Sequence, residues 1–359
     1  METDYKNLPL REYRPQPMLR VASHEVASAA TAVVDAHNHL GQGSPSRARG
    51  IGENWLVPDV GALIALMDEC NIRSIINLDG RWGAELEANV NRYDRAHPGR
   101  FATFCRLKLD ECQQPGWPAR LVKVLRESAE HGAAGIKVLK DLGLRIRDEK
   151  EQLLICDDDR LAPIWDTAAE LHLPVLIHVA DPAAFFEPLT AHNERLEQLL
   201  ARPEWQVADP NFPRLGFLLE ALENLISSHP NVTFIGAHVG CYAEDLFWVS
   251  RMLESYPNFY IDIAGRTAEL GRQPRATRRL VLRHQTRVLF GTDRFPPTRE
   301  TYSIYFRFLE TDDEHFPYGE TDPPDSGRWA ISGIHLPAEV LRDIYTDNAQ
   351  RIIPALSFN

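Results

Sequence analysis

A chain of 359 residues with a formal net charge of -12 is long enough for two average domains or for one α/β barrel with insertions, so the order of its elements must decide. Its charges are interspersed and no basic block interrupts the acidic balance, which excludes a phosphate-backbone footprint and, with it, nucleic acid as a partner. The five cysteines are scattered without a Cys-x-x-Cys pair, and the polar, proline-bearing start holds no apolar signal core. The expectation is a soluble, cytoplasmic protein with reduced thiols and no membrane segment.

Residues 1–30 read as an irregular N-terminal arm. The first strand follows, Val33-Val34-Asp35-Ala36, and it runs into His37-Asn38-His39. Val60, Leu63, Ile64 and Met67 form a helical stripe that precedes an apolar strand over 73–78. The rhythm then repeats. A helix near 84–96 leads through His97-Pro98-Gly99 into a strand over 101–104, and a helix near 119–131 leads into a strand over 134–139. Asp157, Asp158 and Asp159 are candidate caps for a helix that ends at Leu171, before a strand over 173–178. Helices over 215–228 and 243–255, and one beginning near Pro274, precede strands over 232–238, 259–263 and 287–293.

Proline or glycine recurs after the helices, where it stops them. Eight strands alternating with helices, starting near 32, 73, 101, 134, 173, 231, 258 and 286, predict an α/β fold: a distorted (β/α)8 TIM barrel forming one domain over 31–359. No Gly-x-Gly-x-x-Gly follows a strand, which counts against an open dinucleotide-binding sheet. Two long loops, about 181–213 and 311–337, follow strands and so belong to the C-terminal face, where barrel enzymes keep their chemistry.

Residues two apart on a strand share a face, so His37 and His39 converge where the first strand ends. An isolated His-x-His is as readily structural. Here, however, His178, His238 and Asp293 stand at equivalent places, each just past the last apolar residue of its own strand, and parallel strands bring them to one end of one barrel. Imidazole and carboxylate donors suit one divalent ion, Zn2+ first, with Mn2+ or Fe2+ as alternatives. Such an ion acidifies a bound water.

Around these residues the sequence resembles the amidohydrolase superfamily. The motifs are Val-Val-Asp-Ala-His-Asn-His-Leu, Leu-Pro-Val-Leu-Ile-His-Val-Ala-Asp, Phe-Ile-Gly-Ala-His-Val-Gly, Val-Leu-Phe-Gly-Thr-Asp-Arg-Phe-Pro and Asp-Asn-Ala-Gln-Arg near the C-terminus. Within it they are most similar to the amidohydrolase-related branch that includes aminocarboxymuconate-semialdehyde decarboxylase and related aromatic-acid decarboxylases. The resemblance implies that His37, His39 and His178 are metal ligands. It implies further that Asp293 is a ligand or proton shuttle and that His238 activates water or polarises the substrate. It also makes a homodimer an expectation.

Lys137, on the predicted fourth strand, has two readings. In binuclear relatives a strand-four lysine is carboxylated and bridges two metals; a mid-strand lysine that lines the barrel or contacts substrate is the alternative preferred here. Arg47, Arg49, Arg81, Arg106, Arg266 and Arg294 fall where strands become loops and could clamp a carboxylate, or simply pair with the chain's surplus of acids. Trp55, Trp82, Phe185 and Phe186 could supply an apolar wall or belong to the core. The favoured expectation is a metal-dependent hydrolase of a small carboxylated cyclic ester or amide, with His238 and Asp293 managing the proton. Non-oxidative decarboxylation of an unsaturated or aromatic acid is the rival, and an inert barrel retained as a binding module is the third reading.

Overall fold

The computed structural model describes residues 5–42 and 55–356. Its strands are β1 (Val33–Asn38), β2 (Ile72–Asn77), β3 (Phe101–Thr103), β4 (Cys105–Arg106), β5 (Ile136–Val138), β6 (Val175–Ile177), β7 (Phe234–Gly236), β8 (Phe259–Asp262) and β9 (Val288–Leu289). All pairings between these strands are parallel and follow chain order, β1-β2-β3 and then β4 through β9. The predicted third strand is therefore divided at Phe104, whose carbonyl still accepts from Gly80 N–H (3.1 Å) while Cys105 N–H donates to Gly135 O (2.9 Å). The Phe104 ring fills the seam. A Cβ at Gly135 would stand 2.5 Å from it, so glycine is what lets the two segments approach.

The ring of strands closes between its first and last members, since Ala36 N–H donates to Phe290 O (2.9 Å) and Asp293 N–H to His37 O (2.7 Å). This is the (β/α)8 barrel expected from the rhythm. Val34, Ile76, Phe104, Leu176, Ile235 and Leu289 pack inside the barrel, with Ile353 and Leu356 of the C-terminal segment in the same cluster. Outside, each helix buries one stripe: Leu215–Ser228 buries Leu218, Leu219, Leu222, Leu225 and Ile226, worth about 1.5–3 kcal/mol for each fully buried side chain. Of the aspartates proposed as caps, Asp158 accepts from Arg160 N–H. Asp245 likewise starts the helix Leu246–Ser255 by accepting from Phe247 and Trp248.

Asp35 seals the closure. One carboxylate oxygen accepts from Thr292 N–H (3.1 Å) and His37 N–H (3.2 Å), and the other from Asn38 Nδ2 (2.9 Å), Thr292 Oγ1 (2.8 Å) and Tyr302 OH (3.1 Å). Burial raises its pKa to about 6 against the opposing pull of those bonds. Every partner is a donor, so an amide cannot replace the carboxylate. Asp35→Asn is expected to destabilise the fold by about 2–4 kcal/mol, read as a lowered urea midpoint at unchanged slope.

The first long loop folds on itself around Phe185, Leu199 and Val207, against which Phe186, Trp205 and Phe212 pack. The second, 311–337, follows the helix Arg299–Glu310 and not a strand as expected, and it is irregular apart from a bridge between Phe316 and Ile331. The loops hold each other: Arg328 pairs with Glu197 (2.7 and 2.8 Å), and Arg195 lies 5.4 Å from the Trp329 ring and donates to Ser326 O (3.3 Å). The arm reaches the same loop, where His24 N–H donates to Asp313 (2.7 Å). A further excursion between β5 and the helix Ala162–Glu170 was not expected from the sequence. Among the described residues no helix is long and apolar enough to cross a membrane.

Candidate metal centre

His37 lies at the end of β1 within a register shift between Asp35 and Asn38, and His39 follows the strand. The Nδ1 of His37 donates to Asp262 Oδ2 (2.8 Å) and the Nδ1 of His39 to Asp79 Oδ1 (2.9 Å). With Nδ1 of each ring turned to a carboxylate, the Nε2 atoms are the ones that would ligate, that of His37 now accepting from Lys137 Nζ (3.2 Å), and a carboxylate behind each imidazole strengthens it as a ligand. Both Nε2 atoms approach Asp293 Oδ1, at 3.8 Å from His37 and 3.3 Å from His39. The donor atoms of His37, His39 and Asp293 lie within 4.8 Å of one another, as do those of His37, His238 and Asp262. In the second group His37 and Asp262 are already joined by their hydrogen bond, so the first is the better cradle for an ion.

The charges at this point call for a cation. Burial opposes protonation of His39, yet Asp79 and Asp293 raise its pKa to about 9. Asp79 is held near 2 despite its burial, by His39 and Arg106, and Asp293 is held well below the carboxylate range by His37 and His39. Burial first, then Lys137, keeps His37 neutral, as a ligand must be, whereas His39 holds a proton that an ion would displace. The residues present thus fit a divalent ion with nitrogen and oxygen donors.

His238 sits at the mouth of β7 in a left-handed turn, where His238, Val239, Gly240 and Cys241 have φ of 57°, 62°, 67° and 64°. Left-handed backbone costs a non-glycine residue about 1–2 kcal/mol, and such strain collects at functional sites. Its Nδ1 donates to Ala264 O (2.7 Å), which leaves Nε2 as the basic nitrogen, 3.7 Å from Asp293 Oδ2. Burial, then Arg266, lowers its pKa far below 6.5.

His178 is brought near but not into the cluster. Its ring centroid is 4.5 Å from that of His238, while its Nε2 faces Ala180 O (3.1 Å) and Asp181 (3.7 Å). Among the described residues it joins neither ligand group, since neither of its ring nitrogens lies within 4.8 Å of all the donor atoms of either. Its Nδ1 remains the one nitrogen with which it could ligate.

Lys137 is buried on β5, paired in register with Arg106 and Leu176. Its Nζ donates to His37 Nε2 (3.2 Å), and burial lowers its pKa to about 8. It also lines a cavity of about 270 Å3 with Arg81, Trp82, Arg106 and the apolar residues Leu107, Leu109, Val138, Leu139, Leu142 and Ile146. Two of these, Leu142 and Ile146, come from the unexpected excursion after β5, as does Asp141, which also lines the cavity. Arg81 pairs with Glu85 (3.2 Å), and Arg106 with Asp79, the carboxylate behind His39.

Arg294 stands apart. It pairs with Glu320 (3.4 Å) and lines a second cavity, beside Asp293 and Tyr318. Arg47 and Arg49 lie outside the described residues. Trp82 does line the cationic cavity, whereas Phe185 and Phe186 pack within the first long loop and Trp55 lies beneath Arg92 (4.6 Å).

A (β/α)8 barrel with histidines and an aspartate gathered at the C-terminal ends of its strands is the architecture of the amidohydrolases. The chain belongs to that family: the family model described as Amidohydrolase matches residues 80–354. His178, His238 and Asp293 lie within that match, and His37 and His39 precede it. No curated protein matches the sequence. Among solved structures it is similar to 2,6-dihydroxybenzoate decarboxylase from Rhizobium, with a TM-score of 0.58 at 16% identity over 90% of this chain and 99% of that one. It is similar also to a dihydroxybenzoic acid decarboxylase from Polaromonas sp. JS666 with bound manganese and 2-nitroresorcinol, with a TM-score of 0.55 at 16% identity over 91% and 98%. A probable 2-pyrone-4,6-dicarboxylic acid hydrolase from Acinetobacter baumannii gives 0.53 at 12% identity over 90% and 100%. At these identities the likeness is one of fold.

Proposed function

We propose that this protein is a divalent-metal-dependent enzyme that removes CO2 from a small, flat, unsaturated or aromatic acid. The observation that carries the reading is the cavity beside the cluster, where Arg81, Arg106 and Lys137, with one acid, Asp141, line a largely apolar cleft of about 270 Å3. Cations fix a carboxylate, and apolar walls hold the ring and exclude water. His37, His39 and Asp293 would hold the ion, with His178 as a further donor through Nδ1. Bound there, a divalent ion polarises a substrate oxygen and offsets its charge. Loss of CO2 leaves an electron pair on carbon that must receive a proton. His238 Nε2, with its other nitrogen held by Ala264 O, and Asp293 beside it are both unprotonated in the resting site, so they would first take a proton from a substrate hydroxyl or water and then pass it to that carbon. Two of the named solved structures are decarboxylases, which agrees with this reading.

Hydrolysis of a carboxylated cyclic ester is the second reading. It is favoured by the contact of Asp293 with both His39 and His238, a relay able to carry a proton from water to a leaving group. Incubating the metal-loaded enzyme with hydroxybenzoates and with a pyrone dicarboxylate separates the two: decarboxylation releases CO2 and leaves a product one carboxyl group poorer, a phenol in the case of a hydroxybenzoate, whereas hydrolysis opens the ring without CO2. The metal itself is counted by elemental analysis. One equivalent per chain is expected, lost in His37→Ala and kept in Lys137→Ala. Two equivalents, one lost with Lys137, would make that lysine a bridging ligand and the enzyme binuclear.

A further inference from the structure

Asp262 closes β8 inside an apolar run, Phe259-Tyr-Ile-Asp-Ile263, and its side chain is fully buried. Each of its oxygens serves a different functional histidine. Oδ2 accepts from His37 Nδ1 (2.8 Å), and Oδ1 accepts from the backbone N–H of His238 (2.8 Å) and of Ala264 (3.0 Å). Two residues on, Ala264 O accepts from His238 Nδ1 (2.7 Å). The end of β8 thus grips His238 by backbone and ring and grips His37 by its ring. Asp79, by contrast, serves His39 alone among the histidines of the centre.

We propose that Asp262 is a positioning residue that ties the metal ligand His37 to the proton-transfer residue His238, so that metal loading and the placement of His238 depend on one carboxylate. The proposal rests on the reading of His37 as a ligand and His238 as the acid–base group. The chemistry requires a carboxylate here. Its three partners are all donors on two oxygens, and an amide offers one accepting oxygen and one donating nitrogen. In Asp262→Asn, either His37 Nδ1 or the His238 N–H faces a donor. In the first case His37 turns to its other tautomer and loses its Nε2 lone pair; in the second the left-handed turn loses the bond that pins its first residue.

The test compares Asp262→Asn with Asp79→Asn on the full chain, using Zn2+ titration by calorimetry, the visible spectrum of the Co2+-loaded protein, and the 15N shifts of His238. Both variants are expected to bind Zn2+ about 10–100-fold more weakly, since each removes the carboxylate behind one ligand. Only Asp262→Asn is expected to move the His238 ring and amide resonances and alter the Co2+ spectrum in the same protein. Unchanged His238 resonances in a folded Asp262→Asn, or equal movement of them in Asp79→Asn, would overturn the coupling. Should Asp262→Asn not fold, Asp262→Glu, which keeps the charge but displaces the oxygens, is read the same way: a folded protein with wild-type Zn2+ affinity and His238 shifts sinks the proposal. A wild-type chain that binds neither Zn2+ nor Co2+ would instead defeat the metal-site reading beneath it.

Discussion

Replacement of His238 by asparagine is expected to lower kcat about 10²–10⁴-fold, the range lost with a positioned acid–base group, while one equivalent of metal per chain stays bound. The two outcomes separate because the ligand cradle uses His37, His39 and Asp293, whose donor atoms lie within 4.8 Å of one another, and His238 meets this group through Asp293 Oδ2 at 3.7 Å. Asparagine is small enough for the pocket and cannot shuttle a proton at neutral pH. With KM nearly unchanged, the loss falls on a step after binding. If the metal leaves together with activity, His238 is a ligand and the His37–His238–Asp262 group becomes the centre. If neither changes, the left-handed turn that presents His238 has no part in the chemistry.

The residues that proved central were legible to different degrees, for physical reasons. The strand order followed from apolar runs separated by helical stripes with proline or glycine stops, signals that are local in sequence. His37, His238 and Asp293 were legible because a parallel barrel puts the ends of all its strands on one rim, so equivalent positions in the rhythm become neighbours in space. Asp79 and Asp262 were missed. Each is a single acid at a strand end, yet Asp262 lies in an apolar strand, and a carboxylate buried there must have a partner. That signal was present in Phe-Tyr-Ile-Asp-Ile and pointed to a need without saying which histidines meet it.

The excursion after β5 escaped for another reason. Its Asp141–Leu144 turn contains Gly143 at φ 104°, a conformation that apolar periodicity does not encode. It supplies part of the wall of the cationic cleft, so the shape of the candidate substrate site was less readable than its metal donors. The fate of the arginines was also hidden. Arg106 turned to Asp79 and the cleft while Arg294 turned to Glu320, a choice made by acids more than 25 residues away in each case.

Replacement of Glu269 by alanine is expected to cost about 3–5 kcal/mol of stability, the loss that follows when one member of a buried ion pair is removed. Glu269 and Arg195 are 2% and 3% exposed, and they meet where the helix Thr267–Leu270 passes beneath the first long loop. Arg195 extends the contact: its guanidinium lies 5.4 Å from the Trp329 ring, with Arg272 4.0 Å from the same ring and held by Glu194 (2.9 and 3.2 Å). Alanine at 269 leaves the buried Arg195 charge with the neutral acceptors Gln198 Oε1 and Ser326 O and a distant carboxylate, Glu194, 4.0 Å from its Nε. The pair itself contributes little net stability, because desolvation of both ions offsets their attraction. The double variant Glu269→Leu with Arg195→Met is therefore expected to recover most of the single variant's loss, measured by urea denaturation. Hydrogen exchange of residues 311–337 should nevertheless quicken in both, because one of the contacts that join that loop to 181–213 runs through Arg195, beside the Arg328–Glu197 pair. Recovery of stability without recovery of slow exchange would show that the ion pair is kept for the fit of the two loops over the barrel mouth. An equally destabilised double variant would show that the charges themselves hold the fold.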